Sequence, residues 1–202
     1  MVDIYAFTDL HGNLDALKEG LRKGEKCDLI ICAGDLSTFG AGLGEMIAEL
    51  KKSKVRVMLV PGNHETFGEI NALAPGLNID AKVVSFKGLN FAGIGGSNRT
   101  PFNTPNEWEE SEARALLRNF RGIKNLVLVS HAPPKGYLDS TGGINTGSAA
   151  VREFIDEEGP LLVICGHIHE HAGESVKAGP TTIINPGYGT LIRIKGGKIV
   201  LV

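Results

Sequence analysis

The sequence predicts an α/β fold in which two packed β-sheets carry helices on their outer sides, in one domain over residues 1–202. In the first sixty residues, strands and helices alternate, and this alternation favours parallel strand pairing. Later, two strand pairs turn at Lys87-Gly88 and Gly196-Gly197, which is typical of antiparallel hairpins. With 202 residues, of which 42% are hydrophobic, the chain is long enough to fill one core.

The N-terminal part contains three short apolar runs, residues 4–7, 29–32 and 57–60, that we interpret as buried strands. A helix is predicted after the first run, because Asn13 can cap it and leucines follow at helical spacing. A second helix is predicted before the third run from the apolar positions Leu43, Met46, Ile47 and Leu50.

The middle part predicts a hairpin from residues 82–86 and 89–92, and hence a second sheet with antiparallel pairing. A polar, glycine-rich loop, residues 93–100, follows. A helix is then expected with Thr104 as N-cap, Pro105 at its first position and Glu107 completing a capping box.

The C-terminal part predicts strands at residues 126–129 and 161–165, separated by a loop and a helix. Ser148 is expected to cap this helix, and Gly159-Pro160 to end it. Residues 182–184, 191–194 and 199–202 are again predicted as strands.

Composition narrows the range of functions. A formal net charge of −2 gives no reason to expect nucleic acid or an anionic membrane as the main partner. Two of the three cysteines, Cys32 and Cys165, lie inside apolar runs, so the sequence predicts no disulfide framework. Neither a signal peptide nor a membrane-spanning run is recognisable, and we expect a cytoplasmic protein.

Five of the predicted strands end in polar side chains, and ligands bind at the carboxyl ends of strands in α/β sheets. A polar turn such as Gly62-Asn63-His64-Glu65 would mean little alone, but the same design occurs five times. The side chains concerned are Asp9, His11, Asp35, Asn63, His64, His131, His167 and His169.

These side chains offer oxygen and imidazole ligands but no thiolate, which suits Mn, Fe, Co, Ni or Zn. Without His64 there are seven donors, too many for one tetrahedral zinc ion. Two ions that share a carboxylate would use all seven. Paired metals of this kind are the usual apparatus for displacement at phosphorus.

The motifs Asp-x-His, Gly-Asp, Gly-Asn-His-Glu, a lone His after a strand and Gly-His-x-His occur in this order from Asp9 to His169. In this the chain resembles the calcineurin-like metallophosphoesterases, and the resemblance implies a four-layer αββα sandwich. Ser-His-Ala-Pro-Pro and Gly-His-Ile-His-Glu are also similar to the brain 239-protein subgroup of phosphodiesterases.

The resemblance implies a role for each residue. Asp9, His11 and His169 would hold one metal, and Asp35 would bridge to the other. Asn63, His131 and His167 would hold that second ion, and His64 would act on the substrate without binding metal. Glu65 stands where the wider family commonly has Asp, which partners the catalytic histidine, so this partnership is open here.

We therefore expect a dinuclear metal-dependent phosphoesterase that hydrolyses a small phosphodiester or nucleotide through a metal-bridging hydroxide, with manganese as the activating ion. A phosphomonoesterase or protein phosphatase of the same family is the alternative, and a non-catalytic scaffold a weaker one. Asn98 and Arg99, in the loop of residues 93–100, are predicted to hold the phosphate. His171 is expected to lie outside the ligand set.

Overall fold

The computed structural model describes residues 1–202 and contains two large sheets with helices outside them. The helices are α1 (Leu14–Gly24), α2 (Leu43–Leu50), α3 (Phe67–Leu73), α4 (Glu110–Leu117) and α5 (Ala149–Glu158), with 3-10 turns at Arg118–Phe120 and His169–His171. The strands are β1 (Val2–Phe7), β2 (Leu29–Cys32), β3 (Val57–Leu59), β4 (Val83–Phe86), β5 (Leu89–Ile94), β6 (Ser97–Asn98), β7 (Glu107–Trp108), β8 (Leu126–Ser130), β9 (Ser140–Thr141), β10 (Ile144–Asn145), β11 (Leu162–Ile164), β12 (Ser175–Ala178), β13 (Thr181–Ile184), β14 (Thr190–Lys195) and β15 (Lys198–Leu201).

Three apolar clusters define four layers. The central cluster joins the two sheets, with Ile4 and Ile31 from the first and Val127 and Ile164 from the second. A second cluster lies between the first sheet and helices α1 and α2, and a third between the second sheet and helices α4 and α5. The observed architecture is therefore the expected αββα sandwich.

Sheet topology brings the strand ends together. The first sheet has the order β15-β14-β1-β2-β3, and β1, β2 and β3 are parallel, as predicted. The second has the order β12-β13-β11-β8-β5-β4, with β13, β11, β8 and β5 parallel. The hairpin β4–β5 is antiparallel, as predicted, and the sheet as a whole is mixed, as the fold class implies, because β5 also pairs with β8 in parallel.

Local signals were correct at several helix ends. The Asn13 side chain accepts a hydrogen bond from the Ala16 backbone and caps α1, and Ser148 caps α5 in the same way. Helix α5 ends at Gly159, which adopts the left-handed conformation. Helix α3 was not predicted, although Thr66 and Glu69 form a capping box at its start.

The helix expected after Thr104 begins later than predicted. Thr104 donates hydrogen bonds to Glu107 from its backbone nitrogen and its hydroxyl, at 2.8 Å and 2.6 Å. The bond from the backbone nitrogen is one of the two that form a capping box. The chain nevertheless does not become helical here, because Glu107–Trp108 pairs with Ser97–Asn98 as β7 and β6. A second capping box, from Glu109 to Glu112, starts α4 instead.

None of the helices combines the length and the apolar character that crossing a membrane requires.

Candidate metal centre

All eight polar side chains predicted at strand ends lie at one edge of the sandwich, between the two sheets. Strands β1, β2 and β3 carry some of them and β8 and β11 carry the rest. Their carboxylates and imidazoles form three overlapping groups in which one donor atom per residue lies within 4.8 Å of the others. The groups are Asp9, His11 and His169; His11, Asp35 and His64; and Asp35, His131 and His167.

The first group combines the loop after β1 with the 3-10 turn after β11. The Nε2 atoms of His11 and His169 are 3.1 Å apart, and His169 Nε2 is 3.6 Å from Asp9 Oδ1. On its other side the His11 ring reaches the Thr38 hydroxyl, 3.2 Å from Nδ1. This contact orients Nε2 toward the centre of the group, as contacts behind metal-binding histidines do.

The group of Asp35, His131 and His167 is more deeply buried. His131 is fully buried, and its Nε2 atom lies 2.9 Å from Asn63 Oδ1 and 3.4 Å from Asp35 Oδ2. Its Nδ1 atom lies 2.8 Å from the Ala33 carbonyl oxygen, which only accepts a hydrogen bond. In the neutral ring the proton therefore belongs on Nδ1, and this form would leave a lone pair on Nε2 that faces Asn63 and Asp35.

This arrangement requires a positive charge. Asn63 Oδ1 and the lone pair of His131 Nε2 are both acceptors, so a proton or a metal cation must lie between them. Burial acts to lower the pKa of His131, but the Asp35 carboxylate outweighs it and raises the value to about 9. The donor set of amide oxygen, imidazole and carboxylate thus fits a divalent cation.

Asp35 occupies the middle of the cluster. Its Oδ2 atom lies 3.4 Å from His131 Nε2, 3.8 Å from His11 Nε2 and 4.0 Å from His64 Nε2. Its Oδ1 atom accepts a hydrogen bond from the His64 backbone nitrogen at 3.0 Å. Asp35 is therefore the one carboxylate that reaches both flanking groups, as a bridging ligand must.

Glycines permit the close approach of these ligands. A Cβ atom on Gly62 would overlap the Asp35 carboxylate, and one on Gly166 would overlap Thr8 and approach Asp9 Oδ2. A Cβ atom on Gly34 would collide with the His131 ring. In three of the motifs a glycine precedes a predicted ligand. Each of these glycines is required because a ligand from a different strand end leaves no space for a Cβ atom.

Four of the predicted ligands have left-handed backbone conformations that non-glycine residues rarely adopt. Their φ angles are +55° for Asp9, +47° for His11, +50° for Asp35 and +69° for His167. Such conformations cost energy and tend to cluster at functional sites. The strain directs the four side chains into the shared space and marks the cluster as more than a set of polar loop ends.

Burial also favours the neutral form of His167. Its pKa is lowered to about 4 by burial first and by the neighbouring His131 second. Neutral imidazole is the form that binds metal. The His167 backbone nitrogen donates to both Asp9 carboxylate oxygens, at 3.1 Å and 3.0 Å, and links the two halves of the site.

His64 stands at the edge of the cluster, and Glu65 does not contact its ring. The buried Glu65 carboxylate accepts hydrogen bonds from the Ser37 backbone and hydroxyl and from the Gly62 backbone. His64 Nδ1 instead accepts from the Phe39 backbone nitrogen at 3.3 Å. Glu65 therefore ties the loop after β2 to the loop after β3, and the backbone of Phe39 orients the imidazole.

A cleft of about 380 Å³ opens beside His167 and His169. Asn98 and Arg99 line it, so the structure brings both predicted phosphate-binding residues next to the cluster. Asn98 donates to the Thr146 carbonyl at 3.0 Å, and Arg99 pairs with Glu109 at 2.8 Å.

His171 belongs to none of the three groups. Its ring lies 3.0 Å from the Ser140 hydroxyl and 2.6 Å from a carboxylate oxygen of Glu174. The Ser140 contact attaches the small hairpin β9–β10 to the turn that carries His169.

Comparison with known proteins identifies the class. A family model for calcineurin-like phosphoesterases matches residues 2–171, and the chain belongs to that family, whose members are metal-dependent hydrolases of phosphoesters. Among curated proteins it is similar to the uncharacterized protein MJ1162 of Methanocaldococcus jannaschii, with 40% identity over 195 residues, 91% of this chain and 87% of that protein.

Two solved structures share the fold. TT1561 of Thermus thermophilus has a TM-score of 0.77 at 18% identity and covers 100% of this chain and 98% of its own. A dimetal phosphatase from Danio rerio has a TM-score of 0.71 at 13% identity, with coverage of 99% and 95%. At these identities the likeness concerns the fold alone.

Sequence reasoning missed two residues that support the cluster. Thr104 accepts a hydrogen bond from the Asn63 amide nitrogen at 3.1 Å, although its place in the sequence is typical of a helix cap. Ser37, in the loop after β2, donates hydrogen bonds to the Glu65 carboxylate from its backbone nitrogen and its hydroxyl. Neither contact has a signal in the sequence, because each joins residues that are distant along the chain.

Proposed function

We propose that this chain is, as a single domain, a dinuclear metal-dependent phosphodiesterase that acts on a small phosphodiester. Asp9, His11 and His169 would hold one ion, and Asn63, His131 and His167 the other. Asp35 would serve both. A cytoplasmic location and manganese as the activating ion remain part of the same proposal.

The observation that carries this proposal is the position of Asp35 between two ligand groups. His131 of one group and His11 of the other lie 3.4 Å and 3.8 Å from the same oxygen, Oδ2. A carboxylate in this position would be able to hold both ions of a metal pair. No cysteine joins the groups, which is consistent with a preference for ions that accept oxygen and nitrogen.

When bound, a metal pair supplies a water of lowered pKa as nucleophile and neutralises the phosphoryl oxygens. The chain's own residues would do the rest. His64 lies 4.0 Å from Asp35 Oδ2 and is half-buried, so its Nε2 atom can face a substrate held at the cluster. There it would donate a proton to the departing alkoxide.

Charge in the cleft supports a diester over a monoester. Arg99 is the one Lys or Arg among the residues that line it, and its guanidinium is paired with Glu109. The Glu170 carboxylate lines the same cleft. A phosphomonoester carries about −1.5 to −2 charges at neutral pH, whereas a diester carries one. Apart from the proposed ions, the cleft offers little positive charge for the second charge of a monoester, and this favours the diester.

A phosphomonoesterase is the second candidate, favoured by one comparison. The Danio rerio protein with the same fold is described as a dimetal phosphatase. Within this chain, the Arg99 guanidinium, once released from Glu109, would provide a positive charge that binds the second negative charge of a phosphomonoester dianion.

Hydrolysis of bis-p-nitrophenyl phosphate and of p-nitrophenyl phosphate by the manganese-loaded protein separates the two candidates. We expect the diester to be hydrolysed with the higher kcat/KM. A preference for the monoester would favour the phosphatase, and no activity on either ester with metal bound would favour a non-catalytic scaffold.

A further inference from the structure

The amide of Asn63 must be oriented correctly if it is to bind a metal. An Asn side chain has nearly the same shape when its oxygen and nitrogen are exchanged, but only the oxygen is a metal ligand. In this structure Asn63 Oδ1 faces His131 Nε2 at 2.9 Å, and Nδ2 faces the Thr104 hydroxyl oxygen at 3.1 Å. Something must therefore prevent the exchanged orientation.

The Thr104 hydroxyl has a single proton, and that proton is already committed. Its oxygen lies 2.6 Å from Glu107 Oε1, a carboxylate oxygen that can only accept. Burial alone would raise the pKa of Glu107, but hydrogen bonds from Thr100 and Thr104 outweigh it and lower the value to about 2. Toward Asn63, the Thr104 oxygen can consequently act only as an acceptor.

An acceptor at this position selects one amide orientation. If Asn63 were exchanged, its oxygen would face the Thr104 oxygen lone pairs and its NH₂ group would face the ligand space. We propose that Thr104, held by Glu107, is a positioning residue that keeps the Asn63 oxygen directed into the metal centre. This inference rests on the proposed dinuclear function and names a residue of the chain that supports it.

The surrounding segment is fastened to the loop that carries Asn63. The Asn106 backbone nitrogen donates to the Asn63 carbonyl oxygen at 3.1 Å, and its side chain donates to the Gly62 carbonyl oxygen at 3.0 Å. Thr104 itself is buried, with 7% of its surface exposed. The non-helical Thr104–Glu107 segment, which replaces the expected helix start, therefore has a structural reason at the metal centre.

The test measures binding of Mn²⁺ alone by isothermal titration calorimetry. Thr104→Val replaces the hydroxyl by a methyl group, and Thr104→Ser keeps it. Because contacts behind a ligand typically contribute 10–100-fold to metal affinity, Thr104→Val should weaken one of the two ions at least tenfold. Thr104→Ser should stay within about threefold of wild type under the same principle.

A matched control is provided by Thr100, whose hydroxyl donates to the same Glu107 oxygen at 2.5 Å but does not contact Asn63. Thr100→Val should leave Mn²⁺ affinity within about threefold of wild type. Equal losses in Thr100→Val and Thr104→Val would overturn the proposal, because a general loosening of the segment would then explain both.

A double-mutant cycle tests whether Thr104 acts through Asn63. In an Asn63→Ala background, Thr104→Val should add less than about twofold to the loss of Mn²⁺ affinity. A full additional loss there would overturn the proposal. If Thr104→Val melts too low for titration, Thr104→Ala is compared with Thr104→Ser by the same criterion.

The inference can fail without the proposed function. If the wild-type protein binds two Mn²⁺ ions and hydrolyses the diester while Thr104→Val binds both ions as tightly, only the role of Thr104 is wrong. If the wild-type protein binds fewer than two ions, the dinuclear function itself is wrong.

Discussion

At the scale of single residues, substitution of His64 is expected to affect catalysis without affecting metal binding. Its backbone is fixed by Asp35 and its ring by the Phe39 backbone, while Nε2 remains 4.0 Å from Asp35. We expect His64→Ala to retain two Mn²⁺ ions and to lose about 10²–10⁴-fold in kcat on esters with poor leaving groups, because a general acid contributes that much. Steady-state kinetics on an alkyl ester, with metal analysis of the same sample, measures this.

Leaving-group dependence provides the control. A p-nitrophenolate departs with little help, so bis-p-nitrophenyl phosphate should be hydrolysed with a smaller loss than an alkyl ester. A mutant that loses one ion would instead make His64 a ligand, which the group of His11, Asp35 and His64 permits geometrically. Full activity on the alkyl ester would refute the role of general acid.

Arg99 is the second residue whose role kinetics can decide. Its side chain lines the cleft, is 63% exposed and is paired with Glu109. A guanidinium can contact two phosphoryl oxygens at once, so we expect Arg99→Ala to raise KM about tenfold, the factor that 1.4 kcal/mol of binding energy represents, with metal content unchanged.

Arg22 offers a matched control, because it is also exposed and paired with a glutamate, but on α1. Arg22→Ala should leave KM unchanged. If Arg99→Ala changes KM by less than about twofold, then Arg99 is a solvated partner of Glu109 and takes no part in binding.

At the scale of elements, the strand ends are packed so tightly that glycine is required between them. Gly62 lies against Asp35 on the neighbouring strand end, with no space for a Cβ atom. We expect Gly62→Ala to displace the Asp35 carboxylate and to weaken Mn²⁺ binding at both sites, which titration calorimetry can detect.

Gly44 provides the control for this substitution. It lies in α2 and is exposed, and a Cβ atom at this position would have no neighbour within 4 Å. Gly44→Ala should leave metal binding unchanged, because the added methyl group contacts nothing. Unchanged metal binding in Gly62→Ala would contradict the spacing role of that glycine.

Much of the fold could be predicted because its signals are local. The Asn13 and Ser148 caps and the apolar strands are determined by a few neighbouring residues. The helix start at Thr104 was predicted wrongly, since the Thr104 backbone nitrogen donates to the Glu107 side chain as expected, but in a segment that is not helical. Pairing with β6 decided the conformation, and such long-range pairing has no local signal.

In the candidate site, too, local features could be predicted and long-range contacts could not. Its eight chemical groups were predicted because each follows an apolar strand, and the structure places them together. Their mutual orientation was not predictable, because it depends on contacts across the chain such as Asn63 with Thr104 and Glu65 with Ser37. The longer carboxylate of Glu65 left its partner open, and the structure shows that it binds backbone and Ser37 instead of His64.

At the scale of the whole molecule, the candidate ligands come from both sheets, so bound metal should hold the two halves of the sandwich together. A ligand that binds only the native state at 100 times its Kd stabilises it by about 2.7 kcal/mol. For a chain of this size, we therefore expect Mn²⁺ to raise Tm by about 5–10 °C and EDTA to reverse the increase. Differential scanning calorimetry with Mn²⁺, and with Mg²⁺ for comparison, measures the shift, and an unchanged Tm would contradict a metal-linked sandwich.

The most direct test of the dinuclear account is the number of Mn²⁺ ions bound per chain in wild-type protein and in Asp35→Asn. Elemental analysis after loading should give about two ions for wild type, and titration should show both ions weakened in Asp35→Asn, because Asp35 lies within reach of both ligand groups. A single tightly held ion at saturation, in protein with full activity, would contradict the account.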